Sequence, residues 1–201
     1  MIRRLAAAAL AALSLAACSS GDGAAKPAPS ASVPLATLPA GELSPRVLQP
    51  GEVSNSLVPI DAQTGTRDIA AIANFSADPA AARTSLQQHG FQSAYVVQYG
   101  DPANAAVVTN VVTKFATAAG ATADLTADIA ASAKTGTPFE VTGLGEQAGG
   151  VRGRLEPALA EGTLITLRWR AGDTTWLLAV GSKKPVDEAS VRRLAEKLIG
   201  R

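Results

Sequence analysis

The sequence is poor in cysteine and in aromatic side chains. It contains a single cysteine among 201 residues, so no disulfide can form within the chain. Phenylalanine, tyrosine and tryptophan together make up only 4% of the sequence. Stability must therefore come from a buried core, and a domain of about 150 residues can form one because it buries roughly 70% of its unfolded surface.

An excess of charge of one sign is also absent. The formal net charge is +1, and a chain without a basic excess is not expected to bind nucleic acid. No serine stands in a G-x-S-x-G pattern. The glycine-rich stretch GLGEQAGG, residues 143–150, lacks the lysine and the Ser/Thr of a phosphate-binding loop. We therefore predict that this stretch is a loop before a strand, and we expect no cofactor.

The first residues have the plan of a secretory signal peptide. Arg3 and Arg4 provide a positively charged start, and residues 5–17 form an uncharged stretch rich in alanine and leucine. This stretch is too short to cross a bilayer as a helix, which needs about 20 residues. We therefore predict that residues 1–17 are a signal peptide that is cleaved off.

The signal ends in Leu15-Ala16-Ala17-Cys18, which closely resembles the lipobox of bacterial lipoproteins. The resemblance implies that the Cys18 thiol receives a diacylglyceryl group and that the chain is cut between Ala17 and Cys18. The two acyl chains of this group are enough to hold a protein on a membrane stably. Acylation of the new amino terminus would add a third chain. The predicted location is the extracytoplasmic face of the cell membrane, with the lipid as the membrane contact. The alternative is a chance cysteine near an ordinary cleavage site.

The composition changes after the cysteine. Residues 18–42 are predicted to be the lipidated cysteine followed by a flexible tether, because Ser, Gly, Pro and Ala dominate there without an apolar period. Residues 43–201 are predicted to form a single extracytoplasmic domain, whose folded part begins between Leu43 and Ile60.

The patterns within this domain predict an α+β fold, with one antiparallel sheet of about five strands packed with about three helices. Helices are expected from Asp78-Pro79 to Gly90, over residues 117–133, and after Pro185. Alternation and β-branched runs predict strands, the first two of them a hairpin, over residues 91–100, 105–115, 151–155, 163–171 and 174–182. In the first strand, Phe91, Ser93 and Tyr95 are expected on one face.

The turn at Gly172-Asp173 suits a two-residue hairpin loop. If Ala171 pairs with Thr174, Trp169 lies directly opposite Trp176 on the neighbouring strand. The chain has only two tryptophans, and we interpret them as part of the core rather than as a ligand platform.

The same register predicts a cluster of arginines on the other face of the sheet. If Leu155 pairs with Thr163, that face carries four guanidinium groups, which suit phosphate or carboxylate ligands: Arg152, Arg154, Arg168 and Arg170. These four residues are the candidate anion-binding site. The alternative is a solvated face on which the arginines pair with local acids such as Glu156 and Glu161.

Residues for catalysis are scarce. His89 is the only histidine, and its place in the last turn of a helix favours a structural or surface role. Because the only cysteine is assigned to lipidation, the chain cannot build a Cys/His zinc site or a Cys–His pair, and a Ser–His–Asp triad would need His89. Asp124 and Asp128 are neighbours on one helix surface, but we find nothing in the sequence opposite them that would complete a site.

The stretch GLGEQAGG, followed by LRWRAGDTTWLLAVG and a final helix, resembles small extracellular lipoproteins of actinobacteria and the sensor domains of their receptor kinases. The resemblance covers about residues 60–201 and implies an α+β sandwich around an antiparallel sheet; some such proteins bind lipids between sheet and helices. It transfers no functional residue.

The leading hypothesis is a non-enzymatic, lipid-anchored envelope protein that binds a ligand, anionic or lipidic, or an envelope partner. The first alternative is a purely structural or protein-interaction module. The second is a hydrolase built on carboxylates alone, which requires two facing Asp or Glu side chains in one cleft.

Overall fold

The computed structural model describes residues 37–103, 105–155 and 162–201. The predicted signal peptide, Cys18 and most of the predicted tether lie outside these residues. No helix in the described part is long and apolar enough to cross a membrane.

The described chain forms one antiparallel sheet and four α-helices. The strands are β1 (Val58–Pro59), β2 (Gly65–Arg67), β3 (Phe91–Gly100), β4 (Ala106–Phe115), β5 (Thr137–Phe139), β6 (Gln147–Leu155), β7 (Gly162–Ala171) and β8 (Thr174–Ser182). The helices are α1 (Ile69–Ala73), α2 (Pro79–Gln88), α3 (Ala118–Ser132) and α4 (Glu188–Glu196).

The sheet has eight strands in the order β1-β3-β4-β8-β7-β6-β5, with β2 also paired to β3. The predicted α+β fold is confirmed, whereas the numbers of strands and helices are larger than expected. The additional elements β1, β2, β5 and α1 span five residues or fewer each, too few to show a hydrophobic period in the sequence.

The predicted helix boundaries are set by local capping. Asp78 accepts a hydrogen bond from the Ala81 N–H, and Pro79 begins α2. Gly90 follows α2 with a φ of 76°, a conformation that favours glycine. Thr117 caps α3 in the same way, through its side chain and the Gly120 N–H.

One face of the sheet, named here the closed face, is covered by α4 and by the segment over residues 38–57. The β7–β8 register pairs Ala171 with Thr174 and places Trp169 directly opposite Trp176, as predicted. Their rings stack with centroids 6.0 Å apart. Both tryptophans are buried with Tyr95, Tyr99 and Leu178, so they belong to the core.

Polar groups on the closed face are bonded to the covering segment. The Trp176 Nε1–H donates to the Arg46 carbonyl at 3.1 Å, and the Tyr99 hydroxyl donates to the Leu48 carbonyl at 2.7 Å. Asn110 is fully buried; its Oδ1 accepts from the Leu48 N–H at 2.9 Å, and its amide donates to the Leu177 carbonyl. The segment is thus fixed by hydrogen bonds as well as by apolar contact.

Two predictions about strand faces are wrong. A bulge between Phe91 and Ser93 turns Phe91 to the opposite face from Tyr95, where it packs edge-on against Phe115 at 6.5 Å between ring centroids. In β6, Leu155 pairs with Gly162 instead of Thr163. This one-residue shift exchanges the two faces of β6 relative to the prediction.

The glycine-rich stretch is also partly strand, because β6 begins at Gln147. A Cβ atom at Gly149 would collide with Ile129 of α3, and one at Gly150 would collide with the Phe139 ring. The two glycines therefore allow close packing on both sides of β6.

Candidate functional site

The other face of the sheet, named here the open face, carries α1, α2 and α3 and contains a cleft of about 400 Å³. Strands β4, β8 and β7 form the floor of the cleft, α1 and α2 one wall, and α3 the other. Apart from three charged residues, the lining residues are apolar or small: Ile72, Phe75, Ser76, Ala82, Ser85, Leu86, Thr109, Val111, Thr113, Leu125, Ala127, Ala131, Thr175, Trp176 and Leu177.

The helices α2 and α3 approach closely at one end of the cleft. At the end of α2, a Cβ on Gly120 would overlap the His89 carbonyl, so this glycine lets α3 begin against α2. A small cluster of Ala73, Leu86, Phe115 and Ala121 fills that region. Further along, alanine and serine on the helices face threonines on the floor, and these short side chains leave the space unfilled.

An ion pair crosses the cleft from floor to wall. Arg168 of β7 is only 13% exposed at its side chain, and its Nε–H donates to the carboxylate of Asp128 on α3. A guanidinium group bound to a carboxylate in this way is a charge-assisted pair. The contact joins α3 to the centre of the sheet.

A second carboxylate lies one helical turn earlier. Asp124 lines the cleft, and its Oδ1 is 3.4 Å from Nδ1 of His89 at the end of α2. The pKa of Asp124 is raised to about 6. Burial is the main cause and the negative charge of Asp128 adds to it, whereas the hydrogen bond and charge of His89 act in the opposite direction.

The predicted arginine cluster is not formed. Arg168 lies in the cleft, and Arg170 shares its face but is bonded to Glu146 at 2.6 Å and to the Gly172 carbonyl. The shifted β6 register puts Arg152 and Arg154 on the closed-face side.

Arg152 pairs with Glu188 and lies over the Phe139 ring, with its Cζ 4.8 Å from the ring centroid. Arg154 is exposed. The prediction that the four arginines share one face is therefore wrong, because one residue of strand slip was enough to separate them.

The sequence indicated nothing opposite Asp124 and Asp128 that would complete a site; in the structure, Arg168 contacts Asp128 and His89 contacts Asp124. The two aspartates lie on the same wall, and the lining described here contains no further carboxylate. The described residues also include no group of three or more His, Cys, Asp or Glu side chains that could hold a metal ion. Two features of the sequence could have indicated this cleft: the pair of aspartates on an alanine-rich helix, and an arginine in an otherwise apolar strand.

The chain matches no protein-family model and no curated protein. Among solved structures, it is similar to the crystal structure of the extracellular domain of PknH from Mycobacterium tuberculosis, with a TM-score of 0.57 and 15% sequence identity. The match covers 82% of this chain and 99% of that one. The fold expected from the resemblance to actinobacterial receptor-kinase sensor domains is thereby confirmed, and at this identity the likeness concerns the fold alone.

Proposed function

We propose that this protein is a lipid-anchored, extracytoplasmic binding protein whose domain holds a small, largely apolar ligand in the cleft of the open face. The observation that carries the proposal is the cleft itself. Its volume of about 400 Å³ lies in the range of small-molecule sites, and its apolar walls with a few convergent polar groups have the character of such sites.

The polar groups of the cleft favour binding over catalysis. Asp128 is engaged by Arg168, and Asp124 is within reach of His89. Because the two aspartates project from one helix, they do not form the facing pair that a carboxylate hydrolase needs. Binding without chemical conversion is the function that this arrangement supports best.

The fold likeness to an extracellular domain supports a location outside the cytoplasm, and the lipobox at Cys18 supports the lipid anchor. We expect Cys18→Ala to abolish metabolic labelling by fatty acids and to block the cut before residue 18. Labelling that persists in this variant would contradict the anchor and would leave the proposal for the cleft unaffected.

The cleft can be tested with the neutral, apolar fluorophore N-phenyl-1-naphthylamine. Ala127 and Ala130 are both exposed alanines of α3, but only Ala127 lines the cleft. We expect the fluorophore to bind the wild-type domain and the Ala130→Trp variant, and to be excluded by Ala127→Trp because the indole fills the space. Circular dichroism checks that both variants fold.

Equal binding by the two tryptophan variants would show that the fluorophore does not enter the cleft. Native mass spectrometry of residues 43–201 purified from the native host gives an independent result. Extra mass that disappears on denaturation would support a bound ligand. A clean mass combined with no fluorophore uptake would favour the alternative of a protein-interaction module.

A further inference from the structure

The polar lining of the cleft has an excess of negative charge. One guanidinium group, that of Arg168, and two carboxylates, those of Asp124 and Asp128, line the space. His89 contacts Asp124 from the end of α2 but is not part of the lining. The remaining lining side chains are uncharged.

These charges are not distributed evenly. Arg168 and Asp128 are bonded to one another and neutralise each other across the cleft. Among the described residues, Asp124 has one polar side-chain contact, the 3.4 Å approach of His89, and its side chain is 22% exposed. A carboxylate that has lost most of its hydration gains from an additional cation nearby, and the raised pKa of Asp124 agrees with this.

We infer that the cleft selects an amphiphile with a cationic, amine-type head group, which lies against Asp124 and Asp128 while the apolar tail occupies the space between α2 and α3. This inference rests on the proposed binding function and deepens it by naming the ligand class. It revises the expectation of an anionic ligand, because an anion at Arg168 would also face both carboxylates.

Three probes with the same tail separate the head-group effect from the tail effect: decylamine, decanol and decanoate. Each is titrated against N-phenyl-1-naphthylamine bound to the wild-type domain at neutral pH, below its micellar concentration or, for decanol, below its solubility limit. We expect decylamine to bind about tenfold more tightly than decanol, as one charge-assisted hydrogen bond implies. Decanoate should bind more weakly than decanol.

Variants then change the charge of the lining while keeping its shape. Asp124→Asn should remove most of the preference for decylamine. Asp124→Asn with Asp128→Asn leaves Arg168 as the sole charge, so the preference should invert in favour of decanoate. Glu140→Gln removes an exposed carboxylate outside the cleft and should leave the order unchanged.

The pH profile gives a second readout. Lowering the pH to about 5 should weaken decylamine binding by protonating Asp124, and should leave decanol binding constant. Equal binding of the three probes, or a preference for decanoate in the wild type, would overturn the inference while the apolar cleft stands. No binding of any probe or of the fluorophore would instead refute the proposed function.

Discussion

The two faces of one sheet differ in the size of the side chains they carry, and this difference separates a packed core from a cleft. The closed face presents Trp169, Trp176 and Tyr99, which pack against α4 and the segment over residues 38–57. On the open face, Thr175 is the neighbour of Trp176 on β8, and Thr113 lies beside it on β4. Large side chains pack into a core on the closed side, while short ones line a cleft under the helices.

Carboxylates on the two faces of the sheet differ in the direction of their pKa shifts. Burial alone would raise the pKa of Glu52 in the segment on the closed face, but hydrogen bonds from Arg201 and the Gln49 N–H, with the charges of Arg201 and Lys197, lower it. Asp124 on the open side has a raised pKa. A carboxylate with enough partners stabilises the fold, whereas one with too few is available to a ligand.

The largest difference that we expect is in stability, between alanine variants of two neighbouring leucines of β8. Leu178 is fully buried on the closed face, and Leu177 lies half-buried on the floor of the cleft. We expect Leu178→Ala to lower the free energy of unfolding by about 2–5 kcal/mol because it opens a cavity in a filled core. Leu177→Ala should cost only about 1 kcal/mol, because its surroundings are already open.

Urea denaturation of the two variants measures the difference. Since both changes remove the same atoms from adjacent positions, similar losses would show that the two faces do not differ in packing. The fluorophore used for the cleft sharpens the comparison, because only Leu177→Ala should alter its affinity.

A smaller effect should appear in the pH dependence of stability. The folded-state pKa of Asp124, about 6, lies above its ordinary value of 3.8, so ionisation of this group opposes folding. Its contribution to stability is fully present below about pH 4 and is lost as the pH rises through about 6. His89, Asp128 and Arg168 are the charged or titratable groups around it.

We therefore expect that, as the pH rises from 4 to 7, the free energy of unfolding of Asp124→Asn increases by about 1–3 kcal/mol relative to that of the wild type. Loss of the contact with His89 in the variant reduces this gain. Urea midpoints at several pH values measure this gain. Parallel stability curves for the two proteins would show that Asp124 is not desolvated. The exposed Glu140→Gln variant serves as a control for the loss of one negative charge.

The sequence allowed accurate prediction wherever a short turn fixed the register. The two-residue loop at Gly172-Asp173 allows one alignment of its strands, and Trp169 therefore lies opposite Trp176 as expected. The β6–β7 connection over residues 156–161 is longer and permits more than one alignment, so the predicted pairing of Leu155 was wrong by one residue.

The cleft could not be predicted in the same way. The contact between Asp128 and Arg168 joins residues 40 positions apart, and it depends on where α3 crosses the sheet. That crossing is set by Gly120 against His89 and by Gly149 under Ile129. Neither close approach leaves a periodic pattern in the sequence, so the partners of the two aspartates were missed.

Residues 39–41, near the start of the described chain, lie on the face of the sheet opposite the cleft. The Pro39 carbonyl accepts a hydrogen bond from the Tyr95 hydroxyl at 2.7 Å, and Gly41 packs against the same ring. Tyr95 belongs to the closed face, so the polypeptide arriving from the direction of Cys18 joins the sheet on the side away from the cleft. If Cys18 carries lipid and the cleft holds a ligand, as we propose, the anchored chain therefore reaches the domain on the face of the sheet that is away from the ligand.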